Sequence, residues 1–255
     1  IRLTAGIVCF ALITLLFLDF TGTLHTWFGW LAKIQFLPAV LALNIGVVLL
    51  LIVLTLLFGR IYCSVICPLG VFQDAVSWIS GKRKKNRFRY SPALRWLRYG
   101  VLTVFVIALV AGWNTFVILL APYSAYGRMA SSLLAPFWQW GNNLMAYFAE
   151  RAESYAFYEV DVWMKSLSTL IIAIITLVVL FILAWRNGRT YCNTICPVGT
   201  ILGFISRYSI FKPVIDTSKC NGCGLCARNC KASCINTKAH EIDYSRCVAC
   251  MDCLG

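Results

Sequence analysis

The chain has 255 residues, 60% of them apolar and 13% charged, against roughly 45–50% and 25% in a soluble domain, and its mean hydropathy is +0.77. These values exclude a water-soluble globule, and thirteen cysteines in so apolar a chain exclude the short, polar, secreted disulfide scaffold. Only two histidines are present, His25 and His240, neither inside an apolar run, which excludes a bis-histidine membrane haem and leaves a membrane protein with a cysteine-ligated redox cofactor.

Four stretches reach the roughly 20 residues a helix needs to cross a hydrocarbon core of about 30 Å. The first covers 3–20 and holds Cys9, a packed thiol with no spaced partner. No small-residue cleavage site follows it and three further spans do, which argues against a signal peptide. Residues 24–36, with Trp27 and Trp30, read as a short interfacial helix. The second span, 37–58, runs into Gly59-Arg60-Ile61-Tyr62-Cys63-Ser64-Val65-Ile66-Cys67-Pro68-Leu69-Gly70, with Asp74 just beyond. Next comes the basic run Lys82-Arg83-Lys84-Lys85-Asn86-Arg87-Phe88-Arg89. It reads as a lipid-facing loop, worth roughly 1 kcal/mol per charge against anionic lipid, with docking of an acidic ferredoxin or flavodoxin as the alternative.

The third span covers 96–120. Residues 129–149 are mostly apolar, but Pro136 and the polar centre Gln139-Trp140-Gly141-Asn142-Asn143 predict an extracytoplasmic interfacial helix rather than a fifth crossing. The fourth span, 167–185, leads into Gly188-Arg189-Thr190-Tyr191-Cys192-Asn193-Thr194-Ile195-Cys196-Pro197-Val198-Gly199, a copy of the first motif 129 residues later. Lysine and arginine placement sets orientation. With the N-terminus cytoplasmic, 19 of the 23 basic residues fall inside, and only Lys33, Arg128, Arg151 and Lys165 fall outside. Both termini and all cysteine motifs are then cytoplasmic, and the halves form parallel repeats about an axis along the membrane normal.

Cysteines four apart share one face of a helical turn, and the following proline and glycine suit a chain that turns there. Two such pairs facing each other place Cys63, Cys67, Cys192 and Cys196 around one point, as ligands of an iron–sulfur cluster or a thiophilic metal. A redox-active set of thiols is the rival reading. Arg60 and Arg189 beside them either lower thiol pKa and offset cluster charge or snorkel to the interface.

Beyond Phe211 the chain becomes polar and cysteine-dense. Cys220, Cys223, Cys226 and Cys230 have the C-x2-C-x2-C-x3-C ferredoxin spacing, and Cys247, Cys250 and Cys253 begin a second copy. Since the fourth cysteine of each copy ligates the other cluster, Cys230 joins Cys247, Cys250 and Cys253. Cys220, Cys223 and Cys226 then await a fourth ligand, expected just past Gly255. A zinc ribbon would have pairs in place of triplets. Lys231 stands where the consensus has proline, and Cys234 is an extra cysteine, read as packing or as a substitute ligand.

Two G-R-x-Y-C-x3-C-P-x-G motifs followed by this cassette resemble the membrane-bound polyferredoxins of the NapH, MauN and NosR type. Pro122-Tyr123-Ser124-Ala125-Tyr126-Gly127-Arg128 and Cys230-Lys231-Ala232-Ser233-Cys234 are most similar to stand-alone 4Fe-4S proteins of Bacteroidetes-like bacteria. The resemblance implies passage of electrons between a quinol pool or cytoplasmic donor and a redox partner, with an extracytoplasmic flavin-binding protein as one such partner.

The expected architecture is all-α, with four transmembrane helices in two parallel repeats and a small α+β two-cluster ferredoxin domain at the C-terminus. Its parts are a first repeat (1–80), a basic loop (81–95), a second repeat (96–212) and the cassette (213–255). The cofactors expected are two [4Fe-4S] clusters and a further cluster or metal at the four membrane cysteines. The partners are lipid, quinone and redox proteins in a bacterial inner membrane, and no nucleic acid, for which no motif exists. The leading function is electron relay within an oxidoreductase complex, since the chain offers no acid–base pair or nucleophile of its own. Thiol–disulfide or metal handling during a partner's maturation is the alternative, and a redox sensor is a third.

Overall fold

The computed structural model describes residues 2–81, 88–151, 158–162 and 166–254. Of the basic run, Lys82, Arg83, Lys84, Lys85 and Arg87 lie outside the described residues.

The first half comprises α1 (Arg2–Leu18), α2 (Thr23–Phe28), α3 (Trp30–Lys33), α4 (Phe36–Leu41), α5 (Ile45–Phe58), α6 (Ile61–Val65) and α7 (Pro68–Gly81). The second begins with α8 (Arg95–Val110), α9 (Asn114–Leu120) and α10 (Pro122–Met129), which passes through a π-turn (Ala130–Leu134) into α11 (Ala135–Arg151). It ends with α12 (Leu167–Asn187), α13 (Thr190–Thr194) and α14 (Pro197–Ile205). The C-terminal part holds α15 (Leu225–Asn229) and the antiparallel pair β1 (Ile235–Asn236) and β2 (Glu241–Ile242), with Ile235 opposite Ile242.

Among the described residues one helix, α12, is long and apolar enough to cross a membrane; α1 and α5 are apolar but shorter. The stretches 37–58 and 96–120, expected as single spans, are each broken. Leu43 takes a left-handed φ of 51° between α4 and α5, and Asn44 caps α5 by accepting from the Val47 amide. Gly112, at φ 74°, stops α8 before α9. A hydropathy window averages over such turns, because one glycine or asparagine hardly lowers its mean.

Both breaks fold the chain back on itself. The Tyr62 hydroxyl, beyond the far end of α5, donates to Gln35 Oε1 at 2.8 Å and accepts from the Phe36 amide at 3.0 Å. That contact brings the start of α4 back along α5. In the second half the Tyr191 hydroxyl donates to the Leu120 carbonyl at 3.0 Å, at the end of α9. Each motif tyrosine thus anchors one end of a segment that folds back on its neighbour.

Residues 129–149, expected as an interfacial helix, continue the helix that starts at Pro122. Its first part is buried against α1, α7 and α12. There Gly127 permits a close approach by the Phe17 ring, to which a Cβ would stand at 2.7 Å. The Tyr126 hydroxyl meets Thr14 Oγ1 at 2.6 Å. By contrast α11 buries only Ala146 among its seventeen residues.

Tyr62→Phe should cost about 1–3 kcal/mol, because it leaves a wholly buried Gln35 oxygen and a buried amide without their partner. Tyr191→Phe abandons one carbonyl and should cost about 1 kcal/mol. Thermal unfolding in detergent reads both, and the reverse ranking contradicts the anchoring described here.

Candidate metal centres

Each position of the repeated motif has a local task. Gly59 and Gly188, at φ 71° and 67°, end α5 and α12 in a conformation that glycine adopts without strain. Pro68 and Pro197 open α7 and α14, where a missing amide proton costs nothing. Cys196 caps α14, its sulfur accepting from the Gly199 amide at 3.3 Å. Cys63, Cys67, Cys192 and Cys196 are each at most 3% exposed and share one buried cluster. They lie close enough that charge on one acts on the others across the two motifs.

The two motifs also exchange their arginines. Arg60 donates to Asn193 Oδ1 at 2.8 Å and to the Cys192 carbonyl at 3.0 Å. In return Arg189 donates to the Cys63 carbonyl at 2.6 Å and forms a bidentate pair with Asp74 at 2.8 and 2.6 Å. The second glycine of each motif makes room for this. A Cβ on Gly70 would stand 2.1 Å from the Cys63 carbonyl oxygen, and one on Gly199 would stand 2.2 Å from that of Cys192. Gln73, which no pattern in the sequence marks, donates from Nε2 to Cys192 Sγ at 3.2 Å.

The electrostatics are unbalanced. Arg60 is wholly buried and Arg98 is 3% exposed. Among the described residues neither forms an ion pair with a carboxylate, and the Nε of each lacks a partner. A buried cation without a counter-charge is costly. The groups beside Arg60 able to carry negative charge are the cysteines, with its Nη2 4.0 Å from Cys63 Sγ.

The C-terminal part is fastened onto this centre. Arg60 and Arg98 both donate to the Ser245 carbonyl, and Asn193 Nδ2 donates to that of Ala232 at 3.2 Å. Lys231, the departure from the ferredoxin consensus, pairs with Asp252 at 2.8 Å and lies 4.0 Å from Asp74. Arg2 reaches both aspartates. Burial pushes the Asp74 carboxyl up, but the adjoining Arg189 guanidinium, Lys231 and Arg2 together outweigh it and hold the group below the usual aspartate range.

Cys230, Cys247, Cys250 and Cys253 line one small void together with Cys234. Cys234, 1% exposed, lies 3.5 Å from Cys230 Sγ. Its thiol hydrogen bond draws Cys230 down to about 6 and lowers Cys247 as well. Cys220 and Cys223 are exposed and Cys226 half-buried. The two copies repeat a backbone feature. Gly222 and Gly224 have left-handed φ values of 71° and 69°, and their counterparts Ala249 and Met251 take 50° and 57°. Non-glycine residues accept that conformation at a cost of roughly 1–2 kcal/mol each, so the loop shape is imposed on the second copy despite its side chains.

Among the described residues no three His, Cys, Asp or Glu side chains close on one point as tightly as a single metal ion requires. Four buried thiols beside uncompensated guanidiniums suit a thiolate-ligated cluster of net negative charge better than a lone ion. Cys9, half-buried in α1, is not among these contacts.

A protein-family profile described as "4Fe-4S binding domain" matches residues 40–86 and again 168–216, and a second of the same description matches 213–236. The chain is 26% identical to the putative electron transport protein YccM of Escherichia coli, over 86% of this chain and 54% of that protein. It is 27% identical to the ferredoxin-type protein NapH of Haemophilus influenzae, over 86% and 64% respectively. With the methylamine utilization ferredoxin-type protein MauN of Paracoccus denitrificans it shares 22% identity over 73% and 53%. The chain thus spans between half and two thirds of the length of these relatives. No solved structure matches it. The iron–sulfur domain matches cover the segments that carry Cys63, Cys67, Cys192, Cys196, Cys220, Cys223, Cys226, Cys230 and Cys234, and the chain is similar to 4Fe-4S ferredoxin-type proteins of the NapH, MauN and YccM kind.

Proposed function

We propose that the protein is a membrane electron relay. In this reading its cassette holds two [4Fe-4S] clusters, on Cys220, Cys223 and Cys226 and on Cys230, Cys247, Cys250 and Cys253, and a third centre sits on Cys63, Cys67, Cys192 and Cys196. The observation that carries it is the buried, carboxylate-free Arg60 locked between the two motifs. Clusters at these sites would take up and release single electrons without making or breaking bonds in the chain.

What the residues supply is position and charge. Asn193 follows Cys192 and bonds Ala232, two residues from Cys230. Arg60 bonds both the Cys192 carbonyl and Ser245, two residues from Cys247. One cassette motif is thereby tied to the membrane motifs through two hydrogen-bonded bridges. Buried guanidiniums favour the reduced, more negative state of whatever the thiolates hold.

The membrane reading rests on surface chemistry. Residues such as Leu3, Ile7 and Val8 on α1, Leu49, Leu50 and Val53 on α5, and Ile171, Ile175 and Val178 on α12 are roughly half exposed or more. An apolar surface of that extent suits lipid and not water. The charge distribution and the repeated motif support four crossings, by α1, α5, α8 and α12, with cytoplasmic termini and parallel repeats. The shorter helices cross by local thinning of the bilayer. All cysteine motifs then lie on the cytoplasmic side, so quinone or a partner's flavin completes any path to the opposite face.

The test is anaerobic stopped-flow reoxidation of the reduced protein by a quinone held in a nanodisc bilayer. A Cys63→Ser, Cys192→Ser double variant should reoxidise more slowly than the wild type. Equal rates would remove the membrane cysteines from the path.

A further inference from the structure

We infer that a cavity at the junction of the second motif and the cassette binds a phosphate ester carrying an apolar or aromatic body. The cavity, of about 520 Å³, lies where residues 88–94, the end of α12, α13 and the loop at Ala232 and Ser233 meet. Its size falls in the range of small-molecule pockets, about 300–1,000 Å³.

Its charge is one-sided. Arg89, Arg186 and Arg246 line it, and among the described residues no aspartate or glutamate does. Arg246 is 6% exposed and is fixed by neutral acceptors, the carbonyls of Ser91 and Ala232 and the Ser91 hydroxyl. Arg89 and Arg186 are exposed at the rim and reach inward at little cost. Among the described residues none of the three forms an ion pair with a carboxylate.

One rigid and two adjustable guanidiniums exceed what a single carboxylate uses, which is one bidentate arginine, and match the several oxygens of a phosphate. Ser233 adds a hydroxyl, while the Thr190 and Thr194 hydroxyls donate to the Asn187 and Thr190 carbonyls, and Leu94 and Tyr90 add apolar and aromatic surface to the lining. Two sources supply this chemistry. One is the headgroup of an anionic phospholipid, which meets the cavity at headgroup depth if the chain lies in a membrane as proposed. The other is a soluble phosphate ester such as flavin mononucleotide. Because Asn193 and Ala232 also line the cavity, an occupant would touch the segments bearing Cys192 and Cys230. The binding claim itself stands whether or not the electron-relay reading does.

The experiment uses the full chain in delipidated detergent solution, with phosphatidylglycerol followed by native mass spectrometry and flavin mononucleotide followed by equilibrium dialysis. The wild type should bind one of them at one site per chain. An Arg89→Gln, Arg186→Gln double variant should bind it about thirtyfold more weakly, from roughly 1 kcal/mol per charge and tenfold per 1.4 kcal/mol. Arg95→Gln, an exposed arginine outside the cavity, should bind as the wild type does. Arginine-dependent binding of phosphatidylglycerol identifies a lipid site, and that of flavin mononucleotide a soluble-cofactor site. Binding of neither, equal binding by the double variant, or an equal loss in Arg95→Gln overturns the proposal.

Discussion

Asp74→Asn should lower stability by about 3–5 kcal/mol, the usual consequence of removing one partner from a buried ion pair. Asparagine keeps the shape of the side chain, so the loss is one of charge. Arg189, wholly buried, would be left with backbone and amide acceptors only. Arg2 and Lys231, which also lean on Asp74, would keep Asp252. The pH dependence has a definite sign. A carboxyl held below its ordinary range contributes stability above that range and loses it as pH falls through the lower folded value. The gap between wild type and Asp74→Asn should therefore be constant from pH 8 to 5, and should close only below about pH 4. Thermal unfolding in detergent across that range checks it. A gap already shrinking between pH 7 and 6 would place the carboxyl on the wrong side of its ordinary value.

Gly199→Ala carries the second large effect. The new Cβ would lie 2.2 Å from the Cys192 carbonyl oxygen and 2.7 Å from Arg60 Nη2. The first neighbour is backbone, so the turn itself must shift, at about 1–3 kcal/mol or more. Arg60 must also leave the Cys192 carbonyl. Loss of stability should therefore come with loss of iron from the buried cysteines. Gly141→Ala, in the exposed helix α11 with nothing within 4 Å, is the matched control and should gain up to about 1 kcal/mol. Equal behaviour of the two variants would mean that the motif glycine has no packing role.

Much of the centre was legible in the sequence because its residues act locally. A glycine that stops a helix, a proline that starts one and cysteines one turn apart leave marks at fixed spacing. Lys231 was legible as a departure from consensus, and the structure gives it partners in Asp252 and Asp74. Ala249 and Met251 gave no sign of their left-handed backbone, since the copy with Gly222 and Gly224 shows the need and theirs hides it. The roles of Gln73, Arg98 and Ser245 were not legible, because each depends on a contact more than 100 residues away along the chain. The breaks at Leu43 and Gly112 escaped for a different reason. Hydropathy over a span-length window responds to composition, whereas a helix break is made by two or three backbone angles.

The central claim is that Cys63, Cys67, Cys192 and Cys196 hold a cofactor and are not free thiols. Iron and acid-labile sulfide per chain, with EPR spectra of the reduced state, test it most directly on anaerobically purified wild type and the Cys63→Ser, Cys192→Ser variant. The account predicts that the variant loses about four irons, one cluster's worth, together with one EPR signal, while the cassette signals persist. Equal iron and identical spectra would contradict it and turn the four buried cysteines over to thiol chemistry.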